Sequence, residues 1–221
     1  MTKRLKIDFK EKRNIDDHKN NKLDLIHYLE IWNASHYYFD SKRQFGYGGY
    51  YYDSRWKLII KQLKKNFKLT KNSNLLDVGC AKGYLVNDYN LDNSVGKALG
   101  IDISLYPLIM GKRDKVVGNL ICANSVELPF ENNAFDLVFC KDTLHNILNK
   151  KDTLKSIIEI ERTGKKKWIR VGAYKNSFQK KIIDQWATFA TTYLHVEEWL
   201  ELFEKANYTG NYDWFHPSEQ I

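Results

Sequence analysis

Apolar residues recur along this chain in two different rhythms. Before residue 70 the spacing is helical. Leu25, Leu29, Trp32 and His36 fall at i, i+4, i+7 and i+11, which predicts a helix over 19–38. Trp56, Ile59, Ile60, Leu63 and Phe67 mark a second helix, and the glycine- and tyrosine-rich turn FGYGGYYYDSRW (45–56) leads into it. From Asn74 onward short apolar runs alternate with amphipathic stretches. Strands are expected at Leu75–Val78, Leu99–Ile103, Val116–Cys122, Phe135–Cys140 and Trp168–Ala173, with one more at Asn211–His216. Helices are expected near 82–90, 104–113, 152–162 and 195–206, the last with Val196, Trp199, Leu200 and Phe203 on one face. Such alternation argues for βαβ units and a parallel sheet. The predicted fold is α/β, a Rossmann-like doubly wound domain over 71–221, preceded by a helical extension over 1–70 packed on it as a lid.

Composition narrows the possibilities only slightly. The 221 residues suffice for one full α/β domain, and 43% hydrophobic with 28% charged residues excludes wholesale disorder. No apolar run approaches the roughly 18–20 residues that span a bilayer. The opening MTKRLKIDFKEKRN has no apolar h-region, so a cytosolic, membrane-free protein is expected. Cys80, Cys122 and Cys140 lie in or beside apolar runs without metal-ligand spacing and read as buried hydrophobes in a reducing compartment. The six histidines show no metal spacing either, so no metal is expected. The net charge of +8 is spread along the chain, although the first 22 residues hold eight Lys/Arg against four Asp/Glu. A nucleic-acid partner or an anionic substrate suits such a surface, and so does a solvated lysine-rich surface with no partner.

The sharpest local signal is LLDVGCAKGY at 75–84, an apolar strand ending in an acid and then a glycine-bearing turn that opens a helix. Glycine there permits positive φ and close backbone approach to a ligand. The next strand ends in Gly100-Ile101-Asp102, which puts an acid 19 residues beyond Gly83. That spacing suits a carboxylate that accepts hydrogen bonds from both ribose hydroxyls of a nucleoside. The turn reads GxAxG where a dinucleotide site wants GxGxxG, and an acid just upstream favours a cationic ligand portion over a pyrophosphate. Taken singly, Asp77 and Asp102 also read as ordinary helix caps.

DVGCAKG, then GIDIS, NSVELPF and FDLVFCKDTLHNI, resembles the ordered motif set of class I S-adenosylmethionine-dependent methyltransferases over roughly 74–150. The chain also looks like a small bacterial-type subgroup of that superfamily, through Phe45–Trp56, Thr143–Asn146 and Glu197–Gly210. The resemblance implies a seven-stranded-type, mostly parallel sheet and S-adenosylmethionine as cofactor, leaving S-adenosylhomocysteine as product. It implies that Asp77, with the backbone of Gly79 and Cys80, holds the methionine portion, and that Gly83 makes room for the ribose. Asp102 would take the ribose hydroxyls and Ile103 would pack on the adenine. Asn124 and the backbone of Ser125 would meet the adenine amino group, and the Cys140 carbonyl would lie near the ammonium. Many relatives have Asp at position 124 and Gly at position 81, where this chain has Asn and Ala.

Methyl transfer from a sulfonium is an in-line displacement with an already activated donor, so alignment supplies much of the rate. For a hydroxyl acceptor a general base adds about 10²–10⁴-fold. His145 is the candidate base because it follows the fourth strand, and a histidine hydrogen-bonded within the next helix is the plainer reading. Asp142 is a secondary candidate for acceptor contact. Tyr47, Tyr50, Tyr51 and Arg55 are candidate acceptor contacts, since tyrosines offer flat faces and hydroxyls to a polar ring. Packing of the extension onto the domain is the bland alternative. Trp186, Tyr193 and His195 are weaker candidates, and His18, His27 and His216 read as surface residues.

The leading expectation is a metal-independent enzyme acting on a small polar metabolite of the sugar or sugar-nucleotide kind. One alternative is an RNA methyltransferase, suggested by the charge, although the sequence lacks a [DN]PP[YF] motif and a Pro-Cys pair. The other is a non-catalytic cofactor-binding subunit of a methyltransferase complex. The sequence leaves the oligomeric state open.

Overall fold

The computed structural model describes residues 2–9, 25–26, 29, 33, 35–187 and 192–220. Seven strands lie side by side in the order β4-β3-β2-β5-β6-β8-β1, and a short β7 pairs with β6. Their ranges are β1 Lys3–Arg4, β2 Leu75–Val78, β3 Ala98–Asp102, β4 Asn119–Cys122, β5 Phe135–Lys141, β6 Gly164–Tyr174, β7 Leu194–His195 and β8 Asn211–Phe215. Every pairing among them is parallel. Seven helices have both ends among the described residues: α1 His36–Asp40, α2 Arg55–Phe67, α3 Tyr84–Leu91, α4 Leu105–Arg113, α5 Lys150–Thr163, α6 Ser177–Trp186 and α7 Val196–Lys205. None of them is long and apolar enough to cross a membrane.

The central strands are apolar on both faces because both faces are covered. Leu75, Leu137, Phe139 and Trp168 face one layer, where Ile59, Ile60, Leu63 and Phe67 of α2 and Leu85 and Tyr89 of α3 pack on them. Leu76, Val78, Val138, Cys140, Ile169 and Val171 face the other layer, against Ile157 and Ile160 of α5 and Trp199 and Phe203 of α7. Phe139 stacks on Trp168 with centroids 4.9 Å apart. A buried side chain of this size contributes about 1.5–3 kcal/mol over its exposed state.

From β2 the chain runs outward to β3 and β4, then returns to β5 on the other side of β2. The carboxyl ends of β2 and β5 therefore flank the reversal of strand order, where doubly wound sheets open a crevice for ligands.

The N-terminal part differs from expectation. Most of the predicted helix over 19–38, including Trp32, lies outside the described residues, as do His18 and His27. Leu25, Ile26 and Leu29 are helical, but at 72%, 69% and 48% exposure they bury no apolar face. Asn33 is a turn, and α1 begins separately at His36. Residues 3–4 form an edge strand on β8, and Ile7 and Phe9 enter the same core layer as α2. The predicted strand from Val116 starts only at Asn119. Lys115 (φ +59°) and Gly118 (φ +137°) place a turn there.

Candidate cofactor and acceptor cleft

The turn after β2 is built from left-handed backbone. Gly79 has φ +80°, Ala81 +51° and Gly83 +74°. A Cβ on Gly79 would fall inside the Thr143 side chain, so this glycine is required by contact as well as by φ. Thr143 Oγ1 donates to the carbonyls of Val78 (3.2 Å) and Lys141 (3.1 Å), joining the ends of β2 and β5. Left-handed backbone at Ala81 costs about 1–2 kcal/mol. Its N–H donates to Asp102 Oδ2 at 2.9 Å, which holds the turn in place.

Two cavities open above these strand ends. The first, about 350 Å³, is lined by Ile103, Ala123, Asn124, Ser125 and Val126 beside Asp102. The second, about 530 Å³, contains Asp77, Cys80, Tyr50, Tyr51, Arg55 and Trp56. Both share Tyr47, Gly79, Ala81 and Lys141, so they form one cleft across the carboxyl ends of β2, β3 and β5. Volumes of this size are typical of small-molecule sites.

Asp77 is buried at 6% exposure, and no described residue donates a hydrogen bond to its carboxylate. Burial raises its pKa to about 8, the nearby Asp102 pushes the same way, and Lys141 opposes them. Asp102 is also raised by burial, countered by the N–H groups of Ser104, Ala81 and Ile103. Oδ1 accepts from Ser104 N–H and Oδ2 from Ala81 N–H, each at 2.9 Å, and the carboxylate keeps lone-pair capacity beyond its N–H donors.

Ile103 is 68% exposed at the rim of the first cavity. Asn124 Oδ1 accepts from Val126 N–H at 3.2 Å, and Ser125 Oγ meets Ser156 Oγ at 2.8 Å. Gly83 and Cys140 line neither cavity. A Cβ on Gly83 would come within 2.5 Å of Leu120, and Cys140 is fully buried with its thiol pKa pushed up by burial.

The candidate base also lines neither cavity. His145 sits in a 3₁₀ turn (Leu144–Asn146) at 6% exposure. Its Nδ1 accepts from Gly172 N–H at 2.9 Å, and its ring stacks on Tyr193 at 4.9 Å. Asp142 does face the first cavity, but Arg170 grips it through two 2.9 Å contacts and Lys141 Nζ lies 2.8 Å from Oδ2. His195 caps α7 and its Nε2 lies 3.0 Å from the Lys175 carbonyl oxygen. Trp186 packs on Phe215. His216, expected at the surface, is 2% exposed and bridges Gln179 O and Ser218.

Several contributors were not anticipated. Asp40, at the end of α1, accepts from Lys82 Nζ (2.7 Å), Tyr106 OH (2.8 Å) and Tyr50 N–H (3.3 Å). It thereby ties the tyrosine segment to the turn after β2. Phe9 reaches the cleft from the N-terminal segment, and Lys141 and Thr143 reach it from the end of β5 and the turn after it. Only Lys82 had a local signal, since it lies inside the glycine turn.

Residues 76–167 match the family model described as a methyltransferase domain. An uncharacterized protein of Methanocaldococcus jannaschii is 39% identical over 126 residues, 56% of this chain, and the match covers 51% of that relative. The chain thus spans about half the length of the curated relative it matches. Among solved structures, a complex between the Haloferax volcanii Trm112 methyltransferase activator and "the putative methyltransferase" aligns with TM-score 0.53 at 18% identity, over 66% of this chain and 65% of that one. An S-adenosylmethionine-dependent methyltransferase from Methanosarcina mazei aligns with TM-score 0.52 at 16% identity, over 65% and 82%. The [4+2]-cyclase SpnF also aligns, with TM-score 0.53 at 19% identity over 81% and 68%. Residues 76–167 thus match a methyltransferase domain, and the fold is shared with S-adenosylmethionine-dependent methyltransferases of known structure. The cleft fits S-adenosylmethionine: Asp102 keeps lone-pair capacity for hydroxyl donors, Asp77 is an acid with no cation in hydrogen-bond contact among the described residues, and Gly79 keeps side-chain atoms out of the space between them. A fold shared with a cyclase does not by itself fix the reaction.

Proposed function

We propose that the protein transfers a methyl group from S-adenosylmethionine to a hydroxyl of a small polar acceptor, a sugar or sugar nucleotide. The observation that carries this reading is the continuity of the two cavities. The smaller is bounded by Asp102 and apolar side chains, and the larger, holding Asp77, extends beyond it to the tyrosine segment. Asp102 would accept the ribose hydroxyls while Ile103 and Val126 cover the adenine. Asp77 would hold the methionine ammonium beneath the Gly79 turn. The cofactor supplies a methyl group already activated on a sulfonium. Tyr47 sits at the junction of the cavities, where the acceptor would be aligned, and Tyr50, Tyr51 and Arg55 would contact the rest of it.

In that geometry Tyr47 and its neighbours would align the acceptor hydroxyl with the methyl group, which would pass to the oxygen with S-adenosylhomocysteine as the leaving group and the hydroxyl proton going to water. His145 is assigned a packing role, because its Nδ1 lone pair is taken by Gly172 N–H. Asp142 is assigned a charge-pairing role with Arg170 and Lys141.

The test is incubation with methyl-labelled S-adenosylmethionine and a panel of monosaccharides and sugar nucleotides, with products followed by mass spectrometry. One labelled methyl on a panel member supports the reading. Turnover on RNA alone would replace it with the nucleic-acid reading. A second reading, a subunit that works with a protein partner, draws support from the Haloferax neighbour, which was solved with an activator. Labelled transfer by the purified chain alone contradicts that second reading.

A further inference from the structure

At the opposite end of the sheet from the cleft, a cavity of about 390 Å³ is lined by Lys68, Lys165, Lys166 and Lys167, with Thr209 and Asn211 beside them. No acid among the described residues lines it. Lys68 closes α2 in left-handed backbone, and the other three lysines are consecutive near the start of β6. In the β5–β6 register Lys166 pairs with Leu137, whereas Arg170 pairs with Lys141, which lines the cleft. The four steps of strand between these levels span about 13 Å. A small ligand in this cavity is therefore remote from the cofactor.

The two carboxylates nearest the lysines are already engaged. Asp136 Oδ1 takes Lys165 Nζ at 3.0 Å, and its Oδ2 accepts from Asn74 N–H at 2.9 Å. Glu161 Oε1 lies 2.8 Å from both Lys167 Nζ and Thr209 Oγ1, and its Oε2 accepts from Thr209 N–H at 2.9 Å. Lys166 Nζ donates to the Phe67 carbonyl at 2.5 Å, where the C-terminal end of α2 carries partial negative charge. That carbonyl, and the end of α5 that runs into β6, offset the lysines in part. Lys68 forms no ion pair among the described residues, and Lys166 has no carboxylate partner there. Lys3 stands at the same edge, its carbonyl accepting from Asn211 Nδ2 at 3.1 Å.

Donors remain in place for a ligand. An ammonium has three N–H donors, and Lys165 and Lys166 each use one in the contacts above. Asn211 Nδ2 keeps its second hydrogen. Several point-charge donors around one concave space suit a group with several oxygens and more than one negative charge. We infer that this cavity is a second ligand site, which binds a phosphate group through Lys68, Lys165 and Lys166 with Asn211. The phosphate is carried either by a small phosphorylated compound or by an RNA strand. This site stands apart from the methyl-transfer reading and does not depend on it.

The test is calorimetric titration of the whole protein at low ionic strength with pyrophosphate and, separately, with a short single-stranded oligouridylate. Pyrophosphate binds at one site per chain. Lys68→Met and Lys166→Met, both at exposed residues, each weaken it about tenfold, the size of one charge-assisted hydrogen bond. Lys180→Met, on an exposed lysine of α6, leaves it unchanged. S-adenosylhomocysteine binds all three variants as it binds the parent, which separates this site from the cleft. An oligouridylate that binds more tightly than pyrophosphate, and weakens in the same two variants, identifies RNA as the carrier. Pyrophosphate binding as tightly or more tightly identifies a small phosphorylated compound. No binding of either probe, or binding that neither Lys68→Met nor Lys166→Met alters, overturns the inference.

Discussion

Asp77 offers the most quantitative test of the cofactor site. Its carboxyl sits at 6% exposure, with a pKa raised to about 8 by burial and by Asp102. A free carboxyl titrates near 3.8. If the ionised form is the one that receives the methionine ammonium, binding below pH 8 must first remove a proton. Apparent affinity for S-adenosylhomocysteine then rises about tenfold per pH unit from 6 toward 8 and levels off above it. At pH 7 about 0.9 proton is released per ligand bound, the protonated fraction of a group with a pKa of 8. Calorimetric titration in two buffers of different ionisation enthalpy measures that release directly, and Asp77→Asn abolishes it. Folding carries the same linkage with the sign of a raised acid. The native state favours the neutral carboxyl, so the contribution of Asp77 is least unfavourable below about pH 4 and grows more costly up to about pH 8. Asp77→Asn therefore gains stability relative to the parent across that window. Affinity that is flat between pH 6 and 8, with no proton released, would refute the assignment of Asp77.

Gly79→Ala combines a left-handed alanine, costing about 1–2 kcal/mol, with collision against Thr143, and Thr143→Ala in the same chain recovers part of the loss in urea unfolding. Arg170→Met removes the two guanidinium contacts to the buried Asp142 carboxylate and costs about 3 kcal/mol by the same measurement. His145→Phe keeps the stack on Tyr193 but orphans Gly172 N–H, costing about 1–3 kcal/mol while methyl transfer per folded molecule is retained. A lost rate at unchanged stability would instead make His145 catalytic.

Much of the sheet is legible in the sequence because its central strands are buried on both faces and so appear as unbroken apolar runs. β2 falls where Leu75–Val78 predicts it, and β5 and β6 run one or a few residues past the expected ends. The edge strand β1 gives no such signal. Two charged residues, Lys3 and Arg4, owe their place to distant partners: Leu5 N–H donates to Tyr212 O, and Trp168 Nε1 donates to Leu5 O. Helix α6 escapes notice because only Ile183 and Trp186 of its apolar residues are buried, and Phe178 is 70% exposed.

The two acids of the cleft are legible because Asp77 is the penultimate residue of β2 and Asp102 the last of β3, each just before a turn. Lys141, Phe9 and Asp40 are not, because they meet the cleft through contacts between segments far apart in sequence. His145 shows the converse. Position after a strand predicts the sheet edge a residue reaches, and only the hydrogen bond to Gly172 reveals where its ring goes.

The central claim is that the cleft over β2, β3 and β5 binds S-adenosylmethionine. Thermal unfolding with S-adenosylmethionine, S-adenosylhomocysteine and NAD added separately tests it most directly. Ligand at about 100 times its dissociation constant adds about 2.7 kcal/mol of stability. The account predicts a raised midpoint with the first two alone, lost in Asp102→Ala. An unchanged midpoint with both, or a rise with NAD, would contradict it.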